Sequence, residues 1–136
     1  MNKRMKNHIN KKIIWGAFIL FVIVTLFLMI RSLFLDNELE QKGKVTYAKI
    51  TDYKLGYRGG IAYIYSFDLD GKRIEGKTTF PELSSSHSFE FLNKSFPVIY
   101  LENKPTCNRL LISRISFKES RIQFPDSLKW VIEFEK

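Results

Sequence analysis

Cysteine and histidine, from which many metal and catalytic sites are built, are nearly missing from this chain. Cys107 is the only cysteine, and His8 and His87 are the only histidines, among 136 residues. One cysteine excludes an intrachain disulfide and a thiolate metal cluster. Cys107 is left as a small residue that fills core space, or as a link between two chains. Internal repeats and low-complexity segments are missing as well.

Charge is missing from one long stretch of the sequence. Residues 13–30 form a run of 18 uncharged and almost wholly apolar residues. As an α-helix this run is about 27 Å long, close to the roughly 30 Å hydrocarbon thickness of a bilayer. We therefore predict a transmembrane helix over residues 13–35, in which Arg31 reaches the headgroups by snorkelling. The predicted anchoring residues are Ile13, Ile14, Trp15, Phe18, Phe21, Ile30 and Arg31.

A cleaved signal peptide is the main alternative, because the basic residues before the run resemble an n-region. The run is longer than an h-region, and no small-residue cleavage site follows it at residues 31–34. An uncleaved signal anchor is therefore favoured. Five basic residues precede the run, whereas residues 31–45 hold three. Since basic residues are retained on the cytoplasmic side, we predict a single-pass protein of the cytoplasmic membrane with its N-terminus inside and its C-terminal domain outside.

The formal net charge of +8 resembles that of a nucleic-acid-binding protein, but its distribution argues against that function. Residues 1–12 hold five of the basic side chains, and residues 31–136 hold 17 basic and 14 acidic ones. The lipid bilayer is the expected partner, and no nucleic acid is expected. The chain divides into a basic cytoplasmic tail (1–12), the helix (13–35), a stalk or extra helical turn (36–43) and one small β-domain (44–136).

Strand patterns begin directly after the predicted stalk. Residues 44–54 predict a first strand, and Gly56–Gly60 predicts a hairpin loop. Asp70 and Gly71 then predict a two-residue type I′ turn, because Asp tolerates positive φ and Gly adopts it freely. The strand before that turn has an alternating apolar face, made of Ile61, Tyr63, Tyr65, Phe67 and Leu69. The turn pairs Leu69 with Lys72, Asp68 with Arg73 and Phe67 with Ile74.

The second half of the domain has weaker signals. Residues 81–94 predict a loop with one short helical turn, residues 96–101 a well-buried strand, and residues 108–112 a further strand or closing segment. Asn103 and Pro105 predict a structural turn between these strands. Residues 126–136 are compatible with a helix or a strand, and the alternation of Trp130, Ile132 and Phe134 slightly favours the strand. The predicted fold class is one N-terminal transmembrane helix followed by a small, mostly antiparallel all-β domain, barrel-like or a curled sheet.

Three pieces of this sequence carry a family resemblance. They are a first strand with Val45, Tyr47, Ala48 and Ile50, an aromatic strand with the Asp70-Gly71 hairpin, and the segment from Pro97 to Pro105. With the N-terminal helix, these pieces resemble a family of uncharacterised bacterial single-pass membrane proteins that carry a small extracytoplasmic β-domain. Members usually have Asn directly before Pro in the last segment, whereas here Lys104 stands between them. The resemblance implies a small barrel or curled sheet, and it carries no known activity or site.

The residues offer no catalytic constellation, such as a nucleophile with a base or paired carboxylates in a cleft. His8 and His87 are expected on opposite sides of the membrane, so they build no shared metal site within one chain. His87 stands among serines, which is typical of a solvated loop. The glycines around Arg58 suggest an anion-binding loop or, equally, a flexible hairpin loop. We therefore predict no catalytic residue, no metal and no cofactor.

The expected function is a noncatalytic one. An anchor joined to a small β-domain is typical of an interaction or scaffold module in the cell envelope, whose partner is another envelope protein. A membrane-associated enzyme or enzyme subunit is the first alternative, and a deep polar pocket holding His87 beside a carboxylate would favour it. Protection of the cell against an exported toxin is a third hypothesis.

Overall fold

The computed structural model describes the backbone of residues 3–56 and 59–136, and from residue 11 onward it also describes the side chains. The chain divides into two compact units, Met1–Asp36 and Asn37–Lys136. Its helices are α1 (Lys3–Lys42) and α2 (Arg114–Glu119), with 3-10 helices at Ser85–Phe91 and Asp126–Phe134. Its strands are β1 (Lys44–Leu55), β2 (Ile61–Leu69), β3 (Lys72–Phe80), β4 (Ser95–Leu101) and β5 (Lys104–Leu110).

Helix α1 contains the predicted apolar run. Its part from Lys11 to Lys42 is long and apolar enough to cross a membrane, and its most apolar window is 0 % buried. The helix continues through residues 36–42, which the sequence left open as a stalk or an extra turn. It ends before Gly43, whose backbone N–H donates to the Leu39 carbonyl at 2.9 Å. A Cβ at Gly43 would overlap that carbonyl oxygen and the Ile99 side chain, so glycine permits this close approach.

The five strands form one antiparallel sheet in the order β3-β2-β1-β4-β5. The two outer strands, β3 and β5, approach each other, so the sheet curls into a nearly closed barrel. At this seam the Leu110 backbone N–H donates to Thr78 Oγ1 at 3.1 Å, and a side chain thus takes the place of a ladder hydrogen bond. The predicted fold class, an N-terminal helix followed by a small antiparallel barrel-like domain, is confirmed.

The β2–β3 hairpin turns at Asp70 and Gly71, whose φ angles are +50° and +76°. Positive φ at both central positions is the condition for a type I′ turn, whose twist matches that of the flanking strands. The register pairs Leu69 with Lys72, Asp68 with Arg73 and Phe67 with Ile74. The loop between β1 and β2 closes through the Gly56 N–H and the Gly60 carbonyl at 2.7 Å. Arg58 of that loop, around which the sequence suggested an anion-binding loop or a flexible hairpin loop, lies outside the described residues.

Aromatic and aliphatic side chains fill the barrel. Alternate residues of β2 point into the barrel and pack against side chains from the other strands. The strand residues with almost no exposed surface include Ile50, Ile61, Tyr63, Tyr65, Phe80, Phe96, Val98 and Leu110. Each such side chain contributes roughly 1.5–3 kcal/mol by leaving water. Strand β4 is buried on both of its faces from Phe96 to Leu101, which accounts for its continuous apolar run.

The C-terminal segment differs from the prediction made from the sequence. Residues 126–134 form a 3-10 helix rather than the slightly favoured strand, and only Glu135 beyond it makes a β-bridge, with Leu83. The reason is tertiary packing. Trp130 and Phe134, four residues apart on this helix, both contact the ring of Phe91, at 5.4 and 5.5 Å between centroids. The alternation of aromatic residues was compatible with both structures, and contact with Phe91 decided between them.

Smaller differences concern β5 and its surroundings. Asn103 lies in the turn after β4, but Pro105 lies within β5, where the register shifts next to Tyr100 and Leu101. Proline is tolerated there because a bulge leaves its position out of the ladder. Strand β5 starts before the predicted residues 108–112 and ends at Leu110. Cys107 is half-buried rather than a core residue. Helix α2 was not predicted.

Candidate functional site

The predicted anchoring residues lie along α1, where Ile14, Trp15 and Phe18 line a shallow apolar pocket of about 360 Å³. Ile13, Trp15, Phe18 and Phe21 are 59–69 % exposed, and Trp15 meets Phe18 edge to face at 6.4 Å. Large apolar side chains exposed around a whole helix form a surface that fits hydrocarbon and is costly in water. Chemically, this surface can hold the chain in a bilayer.

His87 and the hairpin carboxylates are dispersed. His87 is exposed on the first 3-10 helix, and its ring lies edge-on to Phe134 at 5.3 Å. Asp68, Asp70 and Glu75 are exposed on the β2–β3 hairpin. Among the described residues, no three His, Cys, Asp or Glu side chains are grouped so that they could hold a metal ion. His87 and the hairpin carboxylates thus lie on separate elements of the domain.

A polar chain joins three strands across the barrel seam. Tyr65 donates to Asn108 Oδ1 at 2.7 Å, and since a hydroxyl has one hydrogen, Thr78 is the donor to Tyr65 at 3.0 Å. Asn108 Nδ2 in turn donates to the Pro105 carbonyl at 2.8 Å. Burial raises the pKa of Tyr65 to about 12, although hydrogen bonding with Thr78 acts in the opposite direction. The network joins β2, β3 and β5. Each polar side-chain atom in it already has a hydrogen-bond partner, so we assign the network a structural role.

Aromatic rings close one end of the barrel. Phe91 contacts Tyr63, Trp130 and Phe134 at 5.4–5.5 Å between centroids, and Lys94 Nζ lies 4.2 Å from the centre of a Trp130 ring. The Tyr63 hydroxyl donates to the Ser88 carbonyl at 3.2 Å, and burial raises the pKa of this phenol. Since these rings pack on one another and on buried Tyr63, we regard the cluster as a second part of the core.

An open groove lies at the outer side of the seam, between the end of β3 and α2. We call it the seam groove; its volume is about 300 Å³ and its lining includes Thr79, Glu82, Arg109, Ile115 and Glu119. Helix α2 is held there by Ser113, whose hydroxyl accepts the Ser116 N–H at 3.2 Å as an N-cap and donates to the Glu82 carboxylate. The groove thus presents a strand edge, charges of both signs and one apolar side chain, Ile115, that is 49 % exposed.

Sequence reasoning did not find the seam groove. Its lining comes from two segments, residues 78–82 and 109–119, that no local pattern connects. The only local signal is Ser113, a residue type that favours helix N-caps, directly before residues 114–119. That signal could have indicated α2, but not its position beside β3.

Comparison of the chain with models of protein families, with curated proteins and with solved structures gives no match.

Proposed function

We propose that this chain is a single-pass protein of the bacterial cytoplasmic membrane whose N-terminus lies in the cytoplasm and whose β-domain lies outside. There the domain binds another envelope protein without catalysing a reaction. The observation that carries the proposal is the combination of one long helix, whose most apolar window is 0 % buried, with a barrel whose interior is filled.

The membrane part of the proposal is supported by exposure as well as by composition. The apolar window of α1 has a mean hydropathy of 2.9 and none of it is buried. A helix of this kind that belonged to the core of a soluble protein would be covered by other elements. Its orientation is supported by the five basic residues that precede the apolar run.

The binding role is supported by what occupies the barrel. Tyr63, Tyr65 and Ile50 are 0 % exposed, so large side chains take up the space that an internal ligand would need. Small barrels filled in this way present function on their outer surface and loops. His87 lies edge-on to the Phe134 ring. In the part of the chain that the structure describes, no carboxylate bonds to His87, whereas a carboxylate beside it in a polar pocket would favour the enzyme hypothesis.

The topology is tested by cysteine accessibility in intact cells. Single cysteines are introduced as Asn7→Cys and Ser86→Cys in a Cys107→Ser background, and a membrane-impermeant thiol reagent is added. Ser86 is exposed, so a label can reach it. We expect labelling at position 86 alone in intact cells, and at both positions after permeabilisation. Labelling at position 7 alone would invert the topology and refute the proposal.

The binding role is tested by cross-linking of the full-length chain in cells. A photoreactive amino acid is introduced at exposed positions of the domain, such as Lys72, Thr79 and Glu133. We expect a discrete adduct of one mass, with one envelope protein, from a contiguous subset of positions. Adducts that are absent from every position, or that are equally diffuse at all positions, would contradict a specific interaction module.

A further inference from the structure

We propose that a groove between the end of α1 and the β4–β5 turn binds the headgroup of a phospholipid that carries a primary amine, as phosphatidylethanolamine does. We call it the turn groove; its volume is about 330 Å³ and its lining consists of Glu38, Lys42, Leu101, Glu102 and Asn103. The inference rests on the proposed membrane span of α1, in either orientation, and adds a lipid ligand to the proposed function. It follows from the place of the groove in the chain, from its charges and from its size.

The turn groove lies within reach of the headgroups because of its place in the chain. Glu38 follows Leu35, the last residue of the predicted transmembrane helix, by three residues. Since α1 continues to Lys42, the helix advances about 4.5 Å from Leu35 to Glu38 and about 10.5 Å to Lys42. The headgroups of one leaflet form a layer roughly 5–8 Å thick outside the hydrocarbon. Glu38 is therefore at headgroup depth, and the long side chain of Lys42 reaches that layer.

Two carboxylates of the groove have acceptor positions left for an ammonium group. Glu38 Oε1 lies 3.7 Å from Lys42 Nζ, which is longer than the roughly 2.8 Å of a charge-assisted hydrogen bond. Glu102 Oε2 lies 2.7 Å from Lys44 Nζ, but a carboxylate has about four acceptor positions. A primary ammonium has three N–H donors, so it can bond to both carboxylates at once.

The phosphate of the same headgroup has partners of its own in the groove. The side chain of Lys42 is 72 % exposed, so its ammonium group is free to turn toward a phosphate oxygen. Asn103 is exposed in the turn after β4, and its side-chain amide supplies two further N–H donors. A lining with charges of both signs is complementary to a zwitterionic headgroup.

The carboxylates favour a primary amine over the other common headgroups. Phosphatidylcholine carries the same phosphate, but its quaternary nitrogen has no N–H to donate. Phosphatidylglycerol carries no cation, so Glu38 and Glu102 would repel it. Hydrogen bonds to a charged acceptor are stronger and more directional than a contact with a quaternary ammonium, and they provide the selectivity.

The size of the turn groove fits a headgroup and not a whole lipid. About 330 Å³ is at the small end of the range for ligand pockets. Leu101 in its lining is only 2 % exposed, so the groove lies on the packed core and offers no channel for an acyl chain. The acyl chains of the bound lipid stay in the bilayer, where the exposed side chains of Leu33 and Phe34 offer apolar surface.

Binding is tested with the full-length chain in nanodiscs that hold equal amounts of phosphatidylethanolamine and phosphatidylcholine. The protein is released with the lipids that it retains, and native mass spectrometry counts them. We expect about tenfold more phosphatidylethanolamine than phosphatidylcholine, the effect of about one charge-assisted hydrogen bond. Equal retention would overturn the proposal. Preferential retention of phosphatidylglycerol, from nanodiscs that hold it beside phosphatidylethanolamine, would overturn it in favour of an anionic-lipid site.

The free headgroup separates a lipid site from a site for a soluble zwitterion. The amide signals of Glu102 and Asn103 are followed by NMR in nanodiscs of phosphatidylcholine alone. We expect these signals to shift when half of the lipid is replaced by phosphatidylethanolamine, whereas the amide of Glu133, outside the groove, keeps its position. Addition of free O-phosphoethanolamine should leave all three signals in place. An equal shift of Glu102 and Asn103 with the free compound would overturn the lipid assignment.

Two pairs of variants locate the lipid. Glu38→Gln removes a carboxylate of the groove, and Glu40→Gln removes one on the same helix that pairs with Arg121 and does not line the groove. Lys42→Gln removes the cation for the phosphate, and Lys49→Gln removes an exposed cation of β1. Exposed ion pairs contribute little to stability, so these variants keep the fold.

The two groove variants should differ in what they change. We expect Glu38→Gln to reduce the preference for phosphatidylethanolamine severalfold without reducing the retention of phosphatidylcholine. Lys42→Gln should reduce the retention of both lipids, because both carry the phosphate. The two controls should behave like the original chain, and equal effects within either pair would overturn the proposal.

Failure of this inference differs visibly from failure of the proposed function. If no lipid is preferred but cross-linking yields one partner, the binding role stands and the lipid site is refuted. If the preference is found but no position yields a cross-linked partner, the lipid site stands and the envelope-binding role is refuted. An inverted labelling pattern would refute the orientation alone, since the groove would then lie at the headgroups of the other leaflet.

Discussion

The ring of Tyr65 lies directly against the backbone of Gly76, its partner across the β2–β3 ladder. A Cβ at position 76 would stand 2.5 Å from two carbons of that ring and would also overlap Asn108 Oδ1. The missing side chain lets the ring pass over β3, so that its hydroxyl reaches Asn108 on β5. One glycine thus makes possible the hydrogen bond that closes the barrel.

Gly76→Ala should destabilise the domain by about 1–3 kcal/mol, because the new methyl group forces Tyr65 out of its position. The measurement is urea unfolding of the full-length chain in mild detergent, followed by near-UV circular dichroism. Lys77→Ala, at the exposed neighbouring position, is the control and should change little. Equal stability of the two variants would contradict the contact between Tyr65 and Gly76.

The stability of the domain should fall as the pH rises above the ordinary pKa of tyrosine. The folded state raises the pKa of Tyr65 from 10.0 to about 12 by burial, so the neutral phenol is favoured in the fold. A raised pKa contributes stability that is complete below pH 10.0 and is lost as the pH rises through about 12. We expect Tyr65→Phe to show a smaller loss of unfolding free energy over this window than the original chain. Parallel curves for the two proteins would contradict the assignment.

Gly71→Val should destabilise the hairpin through its backbone alone. No atom lies within 4 Å of a Cβ at position 71, but φ is +76° there. A β-branched residue in this region costs about 1–3 kcal/mol. Gly71→Asn is the matched control, because asparagine adopts this conformation at small cost. If both substitutions lowered the thermal midpoint equally, the loss would not arise from the positive φ at position 71, and the prediction would be wrong.

Arg121→Gly should stabilise the domain or leave it unchanged, although it removes an ion pair. Arg121 follows the C-cap of α2 with a φ of +56°, and the bond from the Ile122 N–H to the Phe117 carbonyl at 3.0 Å completes a Schellman motif, in which this position favours glycine. Glycine at such a position recovers about 1 kcal/mol. The lost contact, Arg121 Nε to Glu40 at 3.5 Å, is exposed on the arginine side and contributes about 0–1 kcal/mol.

The control for this prediction is Arg121→Ala, which removes the same ion pair and keeps the strained backbone. Chemical unfolding of both variants separates the two effects, and we expect the glycine variant to be the more stable. If the two variants were equally destabilised, the contact with Glu40 would outweigh the strain at position 121.

Much of the fold follows from local patterns. The apolar run predicts α1 because a helix satisfies its own backbone hydrogen bonds. The hairpin register follows from Asp70 and Gly71 together with the alternating side chains of β2, since each requires the same pairing. The turn lies at Asn103 as predicted, whereas Pro105 lies within β5. The position of the bulge depends on how β5 pairs with β4, and no local sequence pattern indicates that pairing.

By itself, the sequence determined the N-terminal apolar helix, the order of the strands along the chain and the β2–β3 hairpin, because these depend on residues close together in the chain. Only the tertiary structure decided the conformation of residues 126–134, where the rings of Trp130 and Phe134 both pack on Phe91. It also decided the seam groove, which unites Thr79 with Arg109 and Glu119. Such contacts depend on which surfaces meet after the barrel curls, and no local periodicity records that.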